Sequence, residues 1–235
     1  MKFGIIILCR YSSSRLPGKI LRTINGKTIL SIIVDQLKVN FNYNQIIVAT
    51  SNHVSDQKII NYCIENEINY FIGELHNVSK RFLDCAKNFN LDYAVRINGD
   101  NVFIDIHSLS SMIKIAENHN YDLVSNVPCR TFPYGMSIEI INTSFYESVI
   151  PFFSKENKEH VSNWLYDNPK LVKSFTFKNN EFINLKGIKL AVDTEKDLKK
   201  CQLIYNKIGF DEPVNLMKLS NLLNDRILLD TILNI

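Results

Sequence analysis

The first half of the chain alternates short apolar runs with segments of helical period, and no other feature of the sequence constrains the fold as strongly. The runs are rich in Ile and Val and have the length of strands, and the stretches between them repeat apolar residues at helical spacing. This alternation is typical of βαβ units around a parallel sheet. We therefore predict an α/β fold with strands at residues 3–8, 45–50, 69–72, 93–97 and 123–125.

The pattern changes after Pro128 to isolated strands and shorter helices. We predict strands at residues 137–141, 172–177 and 190–192, a helix near residues 159–166 and an amphipathic helix at residues 195–207. Residues 128–180 should complete the sheet and form a small mixed α+β lobe. Residues 1–210 would then be a single domain, and residues 211–235 a helical tail.

Length and composition narrow the class of protein. A chain of 235 residues with 46% hydrophobic side chains suits one well-buried domain. The net charge of +3 is spread without a basic block, which argues against nucleic acid as a partner. The first apolar run, residues 3–9, is too short to cross a membrane. The five cysteines are scattered without a C-x-x-C pair, so we expect no disulfide framework, no zinc site and a reducing, cytoplasmic location.

A polar and basic loop, residues 10–19, directly follows the first predicted strand and reads R-Y-S-S-S-R-L-P-G-K. In an open parallel sheet, ligands bind at the carboxyl ends of the strands. The serine hydroxyls and backbone N–H groups can line an anion site, and Arg10, Arg15 and Lys19 can supply charge to phosphate oxygens. The loop matches neither a Walker A nor a G-x-G-x-x-G motif. It is either a phosphate-binding loop of another type or a solvated basic turn.

This loop resembles the nucleotide-binding signature of bacterial cytidylyltransferases, which include CMP-Kdo synthetases and spore-coat polysaccharide cytidylyltransferases. The resemblance continues through V-A-T-S, R-I-N-G-D, F-P-Y-G, E-H-V and V-D segments at residues 48–51, 96–100, 132–135, 159–161 and 192–193 and covers roughly residues 1–210. It implies a Rossmann-like, nucleotide-diphospho-sugar transferase fold in which residues 128–180 serve acceptor binding and dimer contacts. It also implies transfer of CMP from CTP to a sugar acceptor, with release of pyrophosphate.

The resemblance implies roles for particular residues on the donor side. The implied nucleotide-binding residues are Leu8, Arg10, Ser12, Ser13, Arg15, Lys19, Thr50, Ser51 and Asn98, and the implied catalytic residues are Arg10, Lys19 and Asp100. Asp100 follows a predicted strand, so its carboxylate should reach the crevice and can bind Mg²⁺. Asp193 is implied as the second metal ligand, although Asp193 or Thr194 could instead cap the helix that begins at Glu195. The serine-rich loop and Thr50 and Ser51 should leave a compact pocket suited to a pyrimidine.

The acceptor side departs from one branch of the family. CMP-Kdo synthetases resemble Q-G-D-E-P at the metal strand, whereas residues 98–102 read N-G-D-N-V, which is closer to the spore-coat branch. The candidate acceptor-binding residues are Arg96, Arg130, Tyr134, Glu139 and His160, each of which could instead be a surface charge or a buried structural residue. A sugar acid and a sugar or polyol phosphate both remain possible acceptors.

Two other functions and the assembly state complete the expectations. A GT-A-like glycosyltransferase would share the sheet and an acidic metal site but normally carries D-x-D at the metal strand, where this chain reads Gly-Asp-Asn. A catalytically silent nucleotide-binding subunit would need neither aspartate. The strand at residues 137–141 and the apolar tail present more apolar surface than a small lobe can cover, so we expect a homodimer. The tail residues in question are Leu216, Leu219, Leu222, Leu223, Ile227, Leu228, Leu229 and Leu233.

Overall fold

The structure is a computed structural model that describes residues 1–13 and 15–234, the last two of these and residue 227 without their side chains. Ser14 of the serine-rich loop lies outside the described residues, and so do the side chains of the tail residues Ile227 and Leu233. Within the described part of the chain, none of the helices combines the length and the apolar character needed to cross a membrane.

One seven-stranded sheet organises the described residues. The strands are Phe3–Leu8 (β1), Thr23–Ile24 (β2), Lys27–Thr28 (β3), Ile46–Ser51 (β4), Asn69–Gly73 (β5), Tyr93–Asn98 (β6), Leu123–Ser125 (β7), Glu139–Asn142 (β8) and Ser174–Thr176 (β9). The order in the sheet is β5-β4-β1-β6-β8-β7-β9, while β2 and β3 pair separately. Only β8 runs antiparallel to its neighbours among these seven strands, so the sheet is mostly parallel.

Helices cover both faces of the sheet. They are Ile29–Lys38 (α1), Gln57–Glu65 (α2), Val78–Asn88 (α3), Ile106–His119 (α4), Thr143–Val149 (α5), Lys155–Glu159 (α6), Asn163–Asp167 (α7), Glu195–Ile208 (α8), Leu216–Leu223 (α9) and Arg226–Asn234 (α10). Ile5 and Ile7 of β1 face one buried cluster, with α1, α4 and α8, and Ile6 and Leu8 face the other, with α3 and α5. A strand that is buried on both faces needs a continuous apolar run, and this run is why the sequence predicts β1.

The strand predictions for the first half are confirmed to within one residue at each end. Two predictions for the second half are wrong. The helix expected at residues 159–166 is two short helices, α6 and α7, separated by an extended residue at His160. Residues 190–192 form no strand, because their backbone groups bond to loop segments, with the N–H of Leu190 donating to Tyr134 and that of Val192 donating to Asp100.

The second half completes the main sheet, as expected, because β8 and β9 both pair within it. The two premises for the homodimer are wrong. The strand expected to be isolated is β8, an interior strand of the main sheet between β6 and β7. Leu216, Leu219, Leu223 and Ile232 of the tail are buried in the same core cluster as β1. The tail leucines whose side chains the structure describes therefore pack on the chain's own core, and a homodimer remains a prediction without this support.

Candidate active site

A cleft of about 350 Å³ lies at the carboxyl ends of β1 and β6. The loop after β1 forms one wall, and the end of α6 and the segment before α8 close it from other sides. Of the predicted site residues, those that line this cleft are Leu8, Arg10, Ser13, Arg15, Lys19, Arg96, Asn98, Asp100, His160 and Asp193. The carboxyl edge of the sheet thus brings together most of the residues singled out from the sequence, from distant parts of the chain.

Tyr11 organises the loop after β1. Its carbonyl oxygen accepts hydrogen bonds from the N–H groups of Ser13, at 2.9 Å, and Gly18, at 2.8 Å. Its ring fills the space beside Gly18, where an added Cβ would lie 2.8 Å from the ring and where φ is +69°. The ammonium of Lys58 lies over the ring of Tyr11, 4.6 Å from the ring centroid. Because Gly18 has both a positive φ and no room for a side chain, the turn before Lys19 requires glycine.

Asp56, which the sequence analysis did not identify, fixes the loop after β1 to the neighbouring strand β4. Its fully buried carboxylate accepts hydrogen bonds from the backbone N–H of Tyr11 at 2.7 Å and of Ser51 at 3.0 Å. The hydroxyls of Thr50 and Ser51 also donate to it. Thr50 and Ser51 are themselves fully buried and do not line the cleft. The structure thus places these two predicted nucleotide-binding residues beneath the loop, because their hydroxyls satisfy a buried carboxylate.

Lys19 lies between the two aspartates expected to bind metal. Its ammonium is 2.9 Å from the Asp100 carboxylate, 3.3 Å from the Asp193 carboxylate and 3.0 Å from the carbonyl oxygen of Val192. Arg15 also contacts Asp193, at 3.0 Å. Burial alone would raise the pKa of Asp193, but the charge of Lys19, followed by that of Arg15, more than offsets it and lowers the pKa below its ordinary value. Both carboxylates are therefore held close to one positive charge.

Asp100 and Asp193 could together hold a divalent cation. Thr194, not Asp193, caps α8, and the side chain of Asp197 completes that capping box. Asp193 is thus free of the capping role that its position also allowed. The described residues contain no group of three or more His, Cys, Asp or Glu side chains that could form a complete metal site. Two carboxylates that converge on one cation do match the usual Mg²⁺ site, in which substrate phosphates and water supply the other oxygens.

Arg96 forms the wall on the β6 side of the cleft. Strand register places it opposite Glu139 of β8, and the two side chains form an ion pair. The hydroxyl of Tyr166 also donates to Glu139. Burial would raise the pKa of Glu139, but the charge of Arg96 outweighs it, so the pKa lies below its ordinary value. Glu139 is only 2% exposed and does not line the cleft. Its contact with Arg96 orients that cation toward the cleft.

Other predicted residues lie elsewhere. Arg130 stacks over Tyr134, with its guanidinium carbon 5.0 Å from the ring centroid, and neither residue lines the cleft. Ser12 does not line it either. His160 does, beside Glu159, whose carboxylate forms a 3.1 Å ion pair with Arg10. The acceptor-side candidates that remain at the cleft are therefore Arg96 and His160.

The sequence analysis did not identify two cleft-lining residues of α3 or the one that follows β1. Arg81 and Val78 line it from α3, and Cys9 lines it directly after β1. Burial raises the pKa of the Cys9 thiol far above its ordinary value, so this cysteine is an uncharged packing residue. Arg81 falls on the buried helix face that also carries Phe82 and Cys85. A cation within an apolar helix face is the signal that could have identified it.

A mostly parallel α/β sheet with a cationic loop and paired aspartates at its carboxyl edge has the features expected of a nucleotide-binding site. The family model described as cytidylyltransferase matches residues 4–209. The chain belongs to the cytidylyltransferase family and is a nucleotidyltransferase enzyme.

Three known proteins illustrate the relationship. The spore coat polysaccharide biosynthesis protein SpsF of Bacillus subtilis is 26% identical over 227 residues, which cover 93% of this chain and 92% of that protein. A cytidylyltransferase structure from Leptospira borgpetersenii superposes with a TM-score of 0.89 at 26% identity and covers 99% of this chain and 96% of its own. A CMP:2-keto-3-deoxy-manno-octonic acid synthetase complexed with CTP has a TM-score of 0.64 at 17% identity, over 88% of this chain and 100% of its own. That last likeness is one of fold.

Proposed function

We propose that this enzyme transfers CMP from CTP to a sugar acid or a related precursor of a surface polysaccharide, with release of pyrophosphate. The observation that carries the proposal is the position of Lys19 within 3.3 Å of both Asp100 and Asp193, at the end of the loop that resembles the cytidylyltransferase signature. Cations and carboxylates that converge at one point suit a chemistry that handles concentrated negative charge.

The cleft residues suit an in-line attack of an acceptor oxygen on the α-phosphorus. Arg15 and Lys19 would neutralise the phosphate oxygens, since repulsion by the triphosphate otherwise opposes an incoming nucleophile. Arg10, held at the cleft by Glu159, would join them once phosphate competes for its guanidinium. Asp100 and Asp193 would hold Mg²⁺, which supplies further charge neutralisation when bound. The new bond joins the acceptor oxygen to the α-phosphorus, the bond to the β-phosphate oxygen breaks, and pyrophosphate leaves.

Arg96 supports an acceptor that carries a negative charge. Its guanidinium is oriented by buried Glu139, so it cannot relax far from the cleft wall. A fixed guanidinium can form paired hydrogen bonds with either a carboxylate or a phosphate. A sugar acid is the first candidate, and a sugar or polyol phosphate is the second. The name of one relative, a polysaccharide biosynthesis protein, agrees with either.

A pyrophosphate-release screen tests the proposal. CTP, UTP, ATP and GTP would each be incubated with Mg²⁺ and a panel of sugar acids, sugar phosphates and polyol phosphates. We expect release with CTP and with one chemical class of acceptor, and mass spectrometry should then find the CMP or CDP conjugate. A preference for a purine triphosphate, or CTP turnover with an uncharged sugar alone, would contradict the proposal.

Assembly and location extend the same proposal. We propose a homodimer in the cytoplasm, since related cytidylyltransferases are expected to dimerise and the five cysteines, all of which lie in the described part of the chain, are free thiols. Light scattering at micromolar concentration should give twice the 27.2 kDa chain mass. A mass of one chain would contradict the dimer and leave the chemistry of the cleft untouched.

A further inference from the structure

Tyr166 contacts the same buried carboxylate as the arginine of the cleft wall. It lies in α7, and its hydroxyl donates to Oε1 of Glu139, while Nη1 of Arg96 donates to Oε2. Glu139 is buried between them. Arg96 lines the cleft, whereas Tyr166 does not. Glu139 therefore joins a residue of the cleft to a tyrosine that lies outside it.

A second hydroxyl fixes the direction of the hydrogen bond that Tyr166 makes. Oγ of Ser125, at the end of β7, lies 2.7 Å from the Tyr166 hydroxyl and accepts from the backbone N–H of Val127 at 3.1 Å. Because an amide N–H can only donate, Ser125 keeps its own hydrogen for Tyr166, and Tyr166 keeps its hydrogen for Glu139. Burial raises the pKa of the Tyr166 hydroxyl above its ordinary value, so it stays protonated at neutral pH. The two hydroxyls therefore form an ordered chain of donors that ends on the carboxylate.

The orientation of Arg96 depends on this carboxylate. The Arg96 side chain is 18% exposed, and among the residues that the structure describes no hydrogen-bond partner is found for its Nε. A free arginine side chain has many rotamers, and a group that is already held in place binds a ligand without the entropy cost of ordering it. The plane of the Glu139 carboxylate therefore decides how well the guanidinium of Arg96 is held for an acceptor.

We propose that Tyr166 is a positioning residue for the acceptor, an inference that rests on the proposed function. Its hydroxyl fixes the plane of the Glu139 carboxylate and so keeps the Arg96 guanidinium in the orientation that meets an acidic acceptor group. Tyr166 touches neither substrate in this role, so its contribution is confined to acceptor affinity. The phosphate side of the cleft, which is built from the loop after β1, does not depend on it.

Tyr146 provides a matched control for a tyrosine that only fills the core. It is fully buried, and its hydroxyl donates to the carbonyl oxygen of Val161 at 2.8 Å. Replacement by Phe removes one buried hydrogen bond at either tyrosine, but only at Tyr166 does that bond end on Glu139. A purely structural role would therefore give both variants the same properties.

Nuclear magnetic resonance relaxation of the arginine Nε–H groups tests the proposal without an acceptor. In the isotope-labelled wild-type protein, the Nε–H of Arg96 should have an order parameter of about 0.85, whereas that of Arg22, whose ion pair with Glu195 is exposed, should lie below about 0.6. A wild-type Arg96 as mobile as Arg22 would overturn the proposal, and this measurement needs no variant to fold. Tyr166→Phe should lower the order parameter of Arg96, and Tyr146→Phe should leave it unchanged.

Kinetics with the acceptor that the pyrophosphate-release screen identifies provide the second arm. Tyr166→Phe should raise the KM for that acceptor roughly three- to tenfold and leave the KM for CTP within about twofold of wild type. Tyr146→Phe should lower the Tm by a similar amount and change neither KM. Equal changes in the two KM values of Tyr166→Phe, or an acceptor KM raised as much by Tyr146→Phe, would overturn the proposal. If the screen finds no acceptor, the proposed function fails, while the order parameters of Arg96 still decide the role of Tyr166.

Discussion

The backbone N–H of Tyr11 donates a 2.7 Å hydrogen bond to the carboxylate of Asp56, a fully buried residue that lies 45 positions further along the chain. The same carboxylate accepts from Thr50 and Ser51 at the end of β4. The cationic loop is therefore attached to the neighbouring strand before any ligand arrives. Such preorganisation reduces the entropy that phosphate binding must otherwise overcome.

Replacement of Asp56 by Asn should weaken CTP binding while Asp100 and Asp193 stay intact. The amide places N–H donors where only acceptors are needed, so at least one hydrogen bond to the loop or to β4 is lost. A lost hydrogen bond to a charged group costs about 1.5–3 kcal/mol, and we expect a KM for CTP raised roughly tenfold or more with a smaller fall in kcat. Asp35→Asn, which breaks the exposed ion pair with Lys27, is the control and should change neither constant. An unchanged KM in a folded Asp56→Asn protein would refute the anchoring role.

Asp100→Asn should abolish turnover and leave the fold intact. The substitution preserves side-chain size but removes the charge that would hold Mg²⁺, and Asp193→Asn should behave in the same way. We expect kcat to fall by about a thousandfold or more, which corresponds to about 4 kcal/mol, with a smaller change in CTP affinity. Circular dichroism and calorimetric CTP binding should show a folded, nucleotide-binding protein. Near-normal turnover of that protein would mean that Asp100 does not hold the metal.

Lys19→Met should change metal and nucleotide binding in opposite directions. In the free protein the Lys19 ammonium neutralises Asp100 and Asp193, so its removal leaves two carboxylates without that charge. Mn²⁺ binding to the nucleotide-free variant, followed by electron paramagnetic resonance, should become roughly tenfold tighter, since a close charge contributes about that much in a partly exposed site. CTP affinity should fall, because Lys19 also meets the phosphates. Weaker Mn²⁺ binding in the variant would show that Lys19 does not compete with the metal.

Glu139→Gln should destabilise the protein in a pH-dependent way. Removal of one partner of a buried ion pair costs about 3–5 kcal/mol, because Arg96 keeps its charge without compensation. The pKa of folded Glu139 lies below its ordinary value of 4.5, so its contribution is complete above that pH and is lost as the pH falls through the folded-state pKa. The difference in Tm between wild type and variant should therefore be largest near neutral pH and shrink in acid. Glu147→Gln, at the exposed pair with Lys87, provides the control and should show little difference at any pH.

Much of the fold and part of the site could be predicted because they depend on local pattern. β1 is buried on both faces, which requires a continuous apolar run, and α1 shows its buried face in the spacing of Ile29, Ile32 and Ile33. Parallel strands present their carboxyl ends at one edge, so the loop that contains Lys19 and the residue Asp100 could be expected to meet there. These features could be predicted because residues that are close in sequence determine them.

Other features depend on pairing between distant segments, and only the tertiary structure decided them. Thr50 and Ser51 face Asp56 instead of the cleft because a buried carboxylate needs donors, and periodicity does not say which donors it will find. The tail leucines whose side chains the structure describes, which suggested a partner chain, pack against the chain's own core. Arginine usually lies at the protein surface, and only the packing of α3 on the sheet places Arg81 at the cleft. The sequence by itself determined the five strands predicted for the first half, the position of the cationic loop and the family. Long-range contacts decided which polar groups are bonded inside the fold and which remain for a ligand, because those contacts join residues that are far apart in sequence.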